Sequence, residues 1–362
     1  EGNALRIDWN EVIPAERLNY IMGNPPFVGA RLMSEDQKQD VIDIFGAKWK
    51  NVGNLDYVSC WYKKAADLMR ENNAITTALV STNSIAQGEQ VANLWGGLMG
   101  DGLQIHFAHR TFQWDSEASI KAHVHCVIIG FGYKEPKQRI IFEGERKIMA
   151  SNINAYLVDA STVFIDARKK PLCNVAELVF GNMPNDGGHL SDYSTEKKDT
   201  IVKQYPQAKP LFKKLLGATE FLNNKERWCL WLQGVPPALY KSIPPIYEAV
   251  SKVYELRSSS NRSATRKLAD YPMLFGEIRQ PNTDYLIVPR HSSENRRYIP
   301  LGFISSDIIV NDAVQIVPEA SLYHFGVMES NIHMAWVRAV CGRIKSDYRY
   351  SANIVYNNFP WP

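Results

Sequence analysis

Asn19-Tyr20-Ile21-Met22-Gly23-Asn24-Pro25-Pro26-Phe27 is the stretch that decides the fold. Asn19 to Met22 is a short, largely apolar run of strand character, and Gly23 ends it. Two consecutive prolines follow. Neither has an N–H to give to a ladder or a helix, so the chain must leave the strand at Asn24 as an exposed loop. Downstream, Ser34 is placed to cap a helix over residues 35–45, with Glu35 and Asp36 in its positive first turn. Between Asn54 and Arg70, Leu55, Val58, Cys60, Trp61, Ala65 and Leu68 form an apolar stripe near a 3.6-residue period, which predicts a second helix. Ala74 to Ser81 is a buried-strand run, Gly88 to Met99 is helical in pattern, and Leu103–Phe112 and His123–Phe131 are strands. Strands alternating with helices predict an α/β fold whose mostly parallel sheet is covered on both faces. The last two strands lack a helix between them and suggest an antiparallel edge.

Past about residue 150 the texture changes. Residues 181–188 (GNMPNDGG) are loop, 194–217 are Lys-rich and broken by Pro206 and Pro210, and short strands punctuated by Pro and Gly run to about 300. A last helix is expected near Leu322–Cys341. The division is residues 1–150 as a partial Rossmann-like sheet, 151–325 as a mixed α/β domain and 326–362 as a helical junction, with the first boundary between 145 and 160. The 362 residues fit more than one hydrophobic core. The 45% hydrophobic and 22% charged composition excludes a disordered or collagen-like chain. A net charge of +3 means that any nucleic-acid surface is local. No apolar run approaches a membrane span, so no membrane partner is expected. Cys60, Cys126, Cys173, Cys229 and Cys341 are scattered, without a CxxC pair, which fits a reducing cytoplasm and argues against a zinc site.

In an α/β sheet, ligands bind outside the carboxyl ends of the strands, where Asn24-Pro25-Pro26-Phe27 sits. The residue types suit transfer of a methyl group to an exocyclic amine on a heteroaromatic ring. Such an amine is a poor nucleophile because its lone pair is delocalised. Two acceptors aimed at its N–H bonds, the Asn24 side-chain carbonyl and the Pro25 main-chain carbonyl, favour pyramidalisation and concentrate the lone pair. Pro26 continues the rigid corner, and Phe27 offers a face on which an extruded base can stack. The same four residues also suit an ordinary turn with a core phenylalanine.

The surroundings favour the chemical reading, because this arrangement resembles the amino-methyltransferases that carry (N/D/S)PP(Y/F) as motif IV. Gly2-Asn3-Ala4-Leu5 followed by Asp8-Trp9 resembles their motif III, which implies a place for Asn3 and Ala4, with Asn24, beside S-adenosylmethionine. Asn3 stands where an acidic residue is often found. Asp56-Tyr57 resembles motif V, and Leu79 to Asn83 (LVSTN) motif VI. Thr111-Phe112-Gln113-Trp114 lies where motif VIII places an aromatic on the base's other face, so Phe112 or Trp114 is the candidate. Residues 285–303 (YLIVPRHSSENRRYIPLGF) and 333–362 closely resemble the MmeI-like single-chain restriction–modification methyltransferases. That resemblance implies a target-recognition domain and methylation of adenine N6 within a short asymmetric site in duplex DNA, in the bacterial cytoplasm.

For the DNA surface, the basic side chains between Lys252 and Arg297 outnumber the acidic ones. Arg257, Arg262, Arg266, Lys267, Arg290, Arg296 and Arg297 are the candidates, mixed with Ser and Asn donors suited to phosphates and base edges. Arg349 belongs to a second, lower-ranked basic cluster near the C-terminus. His123 and His125 share a strand face without a third ligand, and satisfied histidines fit that pair, His106 and His109 better than a metal. Trp49, Trp228 and Trp231 are expected to pack. The glycine-rich turn and the ribose-binding acid of a methyltransferase do not occur before Asn24. The expectation is therefore a fragment lacking motifs X, I and II and a possible nuclease domain, inactive alone and partnered by the rest of its polypeptide. A non-catalytic recognition subunit on the same scaffold is the alternative.

Overall fold

The computed structural model describes residues 2–114, 124–344 and 346–362. The chain forms two compact units, residues 1–169 with 336–358, and residues 170–335 with 359–362.

The first unit is built on a six-stranded sheet. Its strands are β1 (Tyr20–Gly23), β2 (Thr76–Thr82), β3 (Gln104–Trp114), β4 (Val124–Gly132), β5 (Arg139–Glu143) and β6 (Arg146–Ala150). The spatial order is β1-β2-β4-β3-β5-β6. β1 pairs parallel with β2 and β3 with β5, whereas β2–β4, β3–β4 and β5–β6 are antiparallel. The sheet is thus mixed rather than mostly parallel. The two strands expected as an antiparallel edge, β3 and β4, do pair antiparallel but are interior: β4 is inserted between β2 and β3, and β5 and β6 lie beyond β3. The physical reason is in β4 itself: most of its side chains are buried, and such a strand gains most from neighbours on both sides.

Helix α1 (Glu35–Phe45) begins at the expected residue. The Ser34 hydroxyl accepts from Gln37 N, and the Gln37 side chain accepts from Ser34 N, a complete capping box. Helix α2 (Ser59–Glu71) starts later than its apolar stripe, because Val52–Asn54 forms a separate 3₁₀ turn. The α2 residue Tyr62 is fully buried, stacks on Phe131 of β4 at 5.1 Å and shares a 2.6 Å hydrogen bond with Ser81 of β2. Trp95 closes this cluster edge-on to both rings. The 88–99 stretch is helical with a π-type segment at Val91–Trp95. Trp49 packs over Gly97, and its Nε1 donates to Asn93 O at 2.7 Å.

Residues 151–169 stay with the first unit, past the 145–160 boundary, because the returning segment 336–358 holds them. Arg168 N donates to Asn353 O, Asn357 Nδ2 to Arg168 O, and Asn358 Nδ2 to Asp166 O. Residues 326–362 therefore do not form a segment of their own.

The second unit carries an antiparallel sheet ordered Gly302–Ile304, Tyr285–Pro289, Val314–Pro318, Val179–Phe180, and a three-stranded sheet of Ile309–Val310, Phe212–Leu216 and Trp228–Leu230. Tyr285 to Pro289 is buried along its whole length. Helix α3 (Pro244–Ser258) buries Ile246, Ala249, Val250, Val253 and Arg257 on one face. Overall the chain has a mixed α/β fold.

Candidate functional site

Asn24 follows β1 directly, and Gly23 is the last residue in register with β2, opposite Leu79. The two prolines act as their geometry dictates. Pro25 is buried, Pro26 is exposed, and Phe27 is half-buried. Asn24 is exposed, and among the described residues nothing takes its side-chain amide. Two hydrogen bonds fix the loop after Phe27, one main-chain and one to a carboxylate: Tyr57 N donates to Val28 O at 2.9 Å, and Ala30 N donates to Asp56 Oδ1 at 3.0 Å. A turn closed by Leu32 N on Gly29 O leads into α1.

The register places the other candidates on the same sheet edge. Leu79 pairs with Ile129 and Ile129 with Ala108, so Gly23 is level with Ala108 of β3. Thr82, three residues on, pairs with Cys126, and Cys126 with Phe112. Phe112 therefore stands level with a position three residues past Gly23, where the loop has reached Pro26. Two strands intervene, so the ends of β1 and β3 are roughly 14 Å apart at about 4.8 Å per strand. Phe112 is half-buried and edge-on to His109 at 5.1 Å. It shares the edge with Phe27 but is not brought against it. The Trp114 side chain and His123 lie outside the described residues.

Asn3 is exposed, and its side chain also makes hydrogen bonds within the chain. Its Oδ1 accepts Leu5 N at 3.0 Å, and its Nδ2 donates to Asp40 Oδ2 at 2.9 Å. The amide is thus engaged within the chain and shapes a turn. Three further side chains hold that turn. Trp9 Nε1 donates to Ala4 O, Lys64 Nζ donates to Leu5 O (2.8 Å) and Ile7 O (2.6 Å), and Arg6 pairs with Asp40 at 2.7 Å. Asp40 is buried and also accepts from Tyr57 Oη at 2.7 Å. Burial alone would raise its pKa, but the donors Tyr57, Arg6 and Asn3 together hold it below the usual carboxylate range. Burial, and then the Asp40 hydrogen bond, push the Tyr57 hydroxyl up to about 12. Burial lowers the pKa of Lys64.

Asp40, Lys64 and Ser84 are residues that sequence reasoning did not reach. Asp40 carried a faint signal as an acid amid a helix's apolar face, and Lys64 and Ser84 carried none. Ser84 Oγ donates to Asp56 Oδ2 at 2.6 Å, just past β2.

In the second unit, Arg262, Arg266, Lys267, Arg296 and Arg297 are exposed. Arg266 donates to Ser260 O. Arg290 is half-buried, held by Asp312 O at 2.9 Å and set over the Phe180 ring. Arg349, in the first unit, is half-buried on a hairpin strand, Asp347–Arg349.

Arg257 is a correction. It is 1% exposed, and all five guanidinium N–H groups go to main-chain carbonyls. Nε donates to Asn185 O, Nη1 to Leu268 O and Tyr271 O, and Nη2 to Pro184 O and Leu274 O, all between 2.9 and 3.1 Å. Burial lowers its pKa. No donor remains for DNA, so Arg257 ties two loops to α3. The sequence did carry the signal: Arg257 continues the Ile246, Val250, Val253 spacing of the buried stripe.

His109 stacks on Phe142, and burial lowers the pKa of His106. Among the described residues no group of three His, Cys, Asp or Glu could hold a metal ion, and no helix is long and apolar enough to cross a membrane. All five cysteines are free.

Comparison with known proteins adds to this geometry. The family model described as the MmeI DNA-methyltransferase domain matches residues 1–143, and that of the MmeI target recognition domain matches residues 159–362. The chain is 42% identical over 364 residues to DNA methyltransferase A of Bacillus subtilis (strain 168), a match covering 100% of this chain and 41% of that protein. Among solved structures, the Type IIL restriction-modification enzyme MmeI in complex with DNA superimposes with a TM-score of 0.95 at 44% identity, over 100% of this chain and 49% of that one. The chain spans less than half the length of either relative.

Proposed function

We propose, from the premise that this chain belongs to the MmeI family of DNA methyltransferases, that it transfers a methyl group to N6 of an adenine flipped out of a short specific duplex site. The observation that carries this reading is the exposed Asn24 amide, without a partner among the described residues, at the carboxyl end of β1 beside Pro25 and Phe27. Asn24 accepts one N–H of the target amine and the Pro25 carbonyl the other. Proline's fixed φ restrains the main chain that carries the Pro25 carbonyl, and the residue before a proline is held extended, so the Asn24 backbone is restricted as well. Phe27 stacks on the extruded base, and Phe112 or Trp114 approaches it from the β3 side of the same edge. The amine loses its proton after it becomes cationic, so no strong base is required.

S-adenosylmethionine supplies an electrophilic methyl on a sulfonium. The donor set fits it in part: Asn24 and the Asn3–Ala4 turn, exposed at Asn3, would hold it. The Asn3 amide gives one N–H to Asp40 and accepts Leu5 N, which leaves one N–H and one lone pair for the cofactor. Arg262, Arg266, Lys267, Arg296 and Arg297 are the phosphate-facing candidates for duplex DNA, with Arg290 and Arg349 at more constrained positions. Such an enzyme works in the bacterial cytoplasm, beside its DNA, as part of a longer restriction–modification polypeptide.

The test uses the full-length native protein, a methyl-labelled cofactor and duplex DNA, followed by digestion to nucleosides. Label in N6-methyl-2′-deoxyadenosine is expected. Label only in a methylated 2′-deoxycytidine would overturn the adenine assignment, and none at all would overturn the reading.

A further inference from the structure

Asp56 lies outside the acceptor set assigned above, yet its two carboxylate oxygens face two different loops of the candidate site. Oδ1 accepts Ala30 N at 3.0 Å, three residues past Phe27, and Oδ2 accepts Ser84 Oγ at 2.6 Å, two residues past β2. Ser84 Oγ is also 2.8 Å from Thr82 Oγ1, the last residue of β2, so the second tie is anchored to the sheet. The main chain of Asp56 is fixed as well, because its N–H donates to Gln90 Oε1 at 3.2 Å and Gln90 Nε2 donates to Asn54 O at 2.6 Å. The next residue completes the brace: Tyr57 N holds Val28 O, and Tyr57 Oη reaches the buried Asp40 that also holds Asn3 and Arg6. The Asp56-Tyr57 pair is thus linked to both candidate segments, to the Asn3–Ala4 turn by way of Asp40 and to the Asn24–Phe27 loop through Val28 and Ala30, one and three residues past it.

We propose that Asp56 is a positioning residue that sets the Asn24–Phe27 loop against the end of β2 by bridging Ala30 N and Ser84 Oγ. It acts through hydrogen-bond geometry rather than as a base or a charge. Both of its oxygens accept donors from the protein itself, and β1 gives the loop only four residues of sheet pairing. Without the bridge, Asn24 and Pro25 rest on the prolines and the Tyr57 N–H alone. Displacement of a reacting group by about 1 Å costs on the order of a hundredfold in rate. The inference rests on the methyl-transfer reading for its rate consequence but not for its structural one.

Two readouts separate those parts. The first is hydrogen exchange of peptides covering residues 28–34 in the full-length protein. Asp56→Ala and Ser84→Ala should both speed exchange there while the rest of the sheet keeps its protection. Asp56→Asn should restore protection, because its Oδ1 can accept Ala30 N while its Nδ2 donates to Ser84 Oγ. The second is methyl transfer. Asp56→Ala should lower kcat between tenfold and a hundredfold with little change in KM for DNA, and Asp56→Asn should recover most of it. Unchanged exchange at 28–34 in both alanine variants would overturn the proposal, whatever the activity. Asn and Ala equally impaired in transfer, with Asn showing native protection, would assign Asp56 a charge-dependent role and also overturn it. Absence of transfer in the unsubstituted protein would refute the methyl-transfer reading, and the exchange result would still decide the bridge.

Discussion

Replacing Arg257 by Met keeps an apolar stem out to the position of Nε and removes all five donors. Of the five carbonyls, those of Pro184, Leu268 and Tyr271 keep main-chain donors from Gly276 N, Tyr271 N and Leu274 N, while those of Asn185 and Leu274 lose the donor they have. A buried acceptor left without a donor costs about 1–3 kcal/mol. Two such penalties come to about 4 kcal/mol. That approaches the lower end of the whole stability of a typical domain, about 5–15 kcal/mol. In a unit of 150–250 residues, about 4 kcal/mol lowers the melting temperature by roughly 8–16 °C. Arg257→Lys should rescue little, because one ammonium has three donors and no planar fork. The assay is thermal unfolding followed by circular dichroism, with Arg262→Ala as the comparator. That exposed position should shift stability by no more than about 0.5 kcal/mol. An Arg257→Met protein that melts like the unsubstituted one but binds DNA with a shallower salt dependence would refute the argument. It would mean that Arg257 faces phosphate and not the loops.

The other expectations concern charge and pH. Arg296 and Arg297 are exposed, and if both meet phosphates their joint replacement by Ala should reduce the slope of log affinity against log salt by about 2, since each contact contributes about 0.9. An unchanged slope, measured by fluorescence anisotropy, would remove them from the interface. His333 is buried edge-on against Phe359 at 4.6 Å, and burial lowers its pKa to about 4. Its folded pKa lies below the unfolded value of about 6.5, so the unfolded chain binds the extra proton between these values. The stabilisation is complete above about pH 6.5 and is lost as pH falls toward 4, to the extent of about 3 kcal/mol. Urea titrations at pH 4.5 and 7 should show this difference in the native sequence and a smaller one in His333→Gln; equal differences would contradict it.

Much of the site was legible in the sequence because its determinants are local. Two prolines end β1 wherever they occur, and Ser34 with Gln37 forms its capping box from four adjacent residues. The strands were readable from their apolar runs, but their order was not. The insertion of β4 between β2 and β3 depends on which neighbours bury it, and no local pattern encodes that. The same limit explains Asp40, whose partners Asn3, Arg6 and Tyr57 lie 37, 34 and 17 residues away. Arg257 was misread because its type suggested solvent and phosphate, while its helical position placed it inside. At a buried stripe, periodicity should have outweighed residue type. The return of residues 336–358 to the first unit is carried by asparagine side chains donating to distant main-chain carbonyls, and composition holds no trace of it.

If Asn24 presents an acceptor to the target amine, its loss should remove chemistry and spare recognition. The decisive measurement compares full-length native protein and its Asn24→Ala variant for methyl transfer to DNA and, in parallel, for site-specific DNA binding. Transfer should fall to background while binding to the specific site stays within a few-fold of the unsubstituted protein. Transfer retained at near-native rate in Asn24→Ala would contradict it.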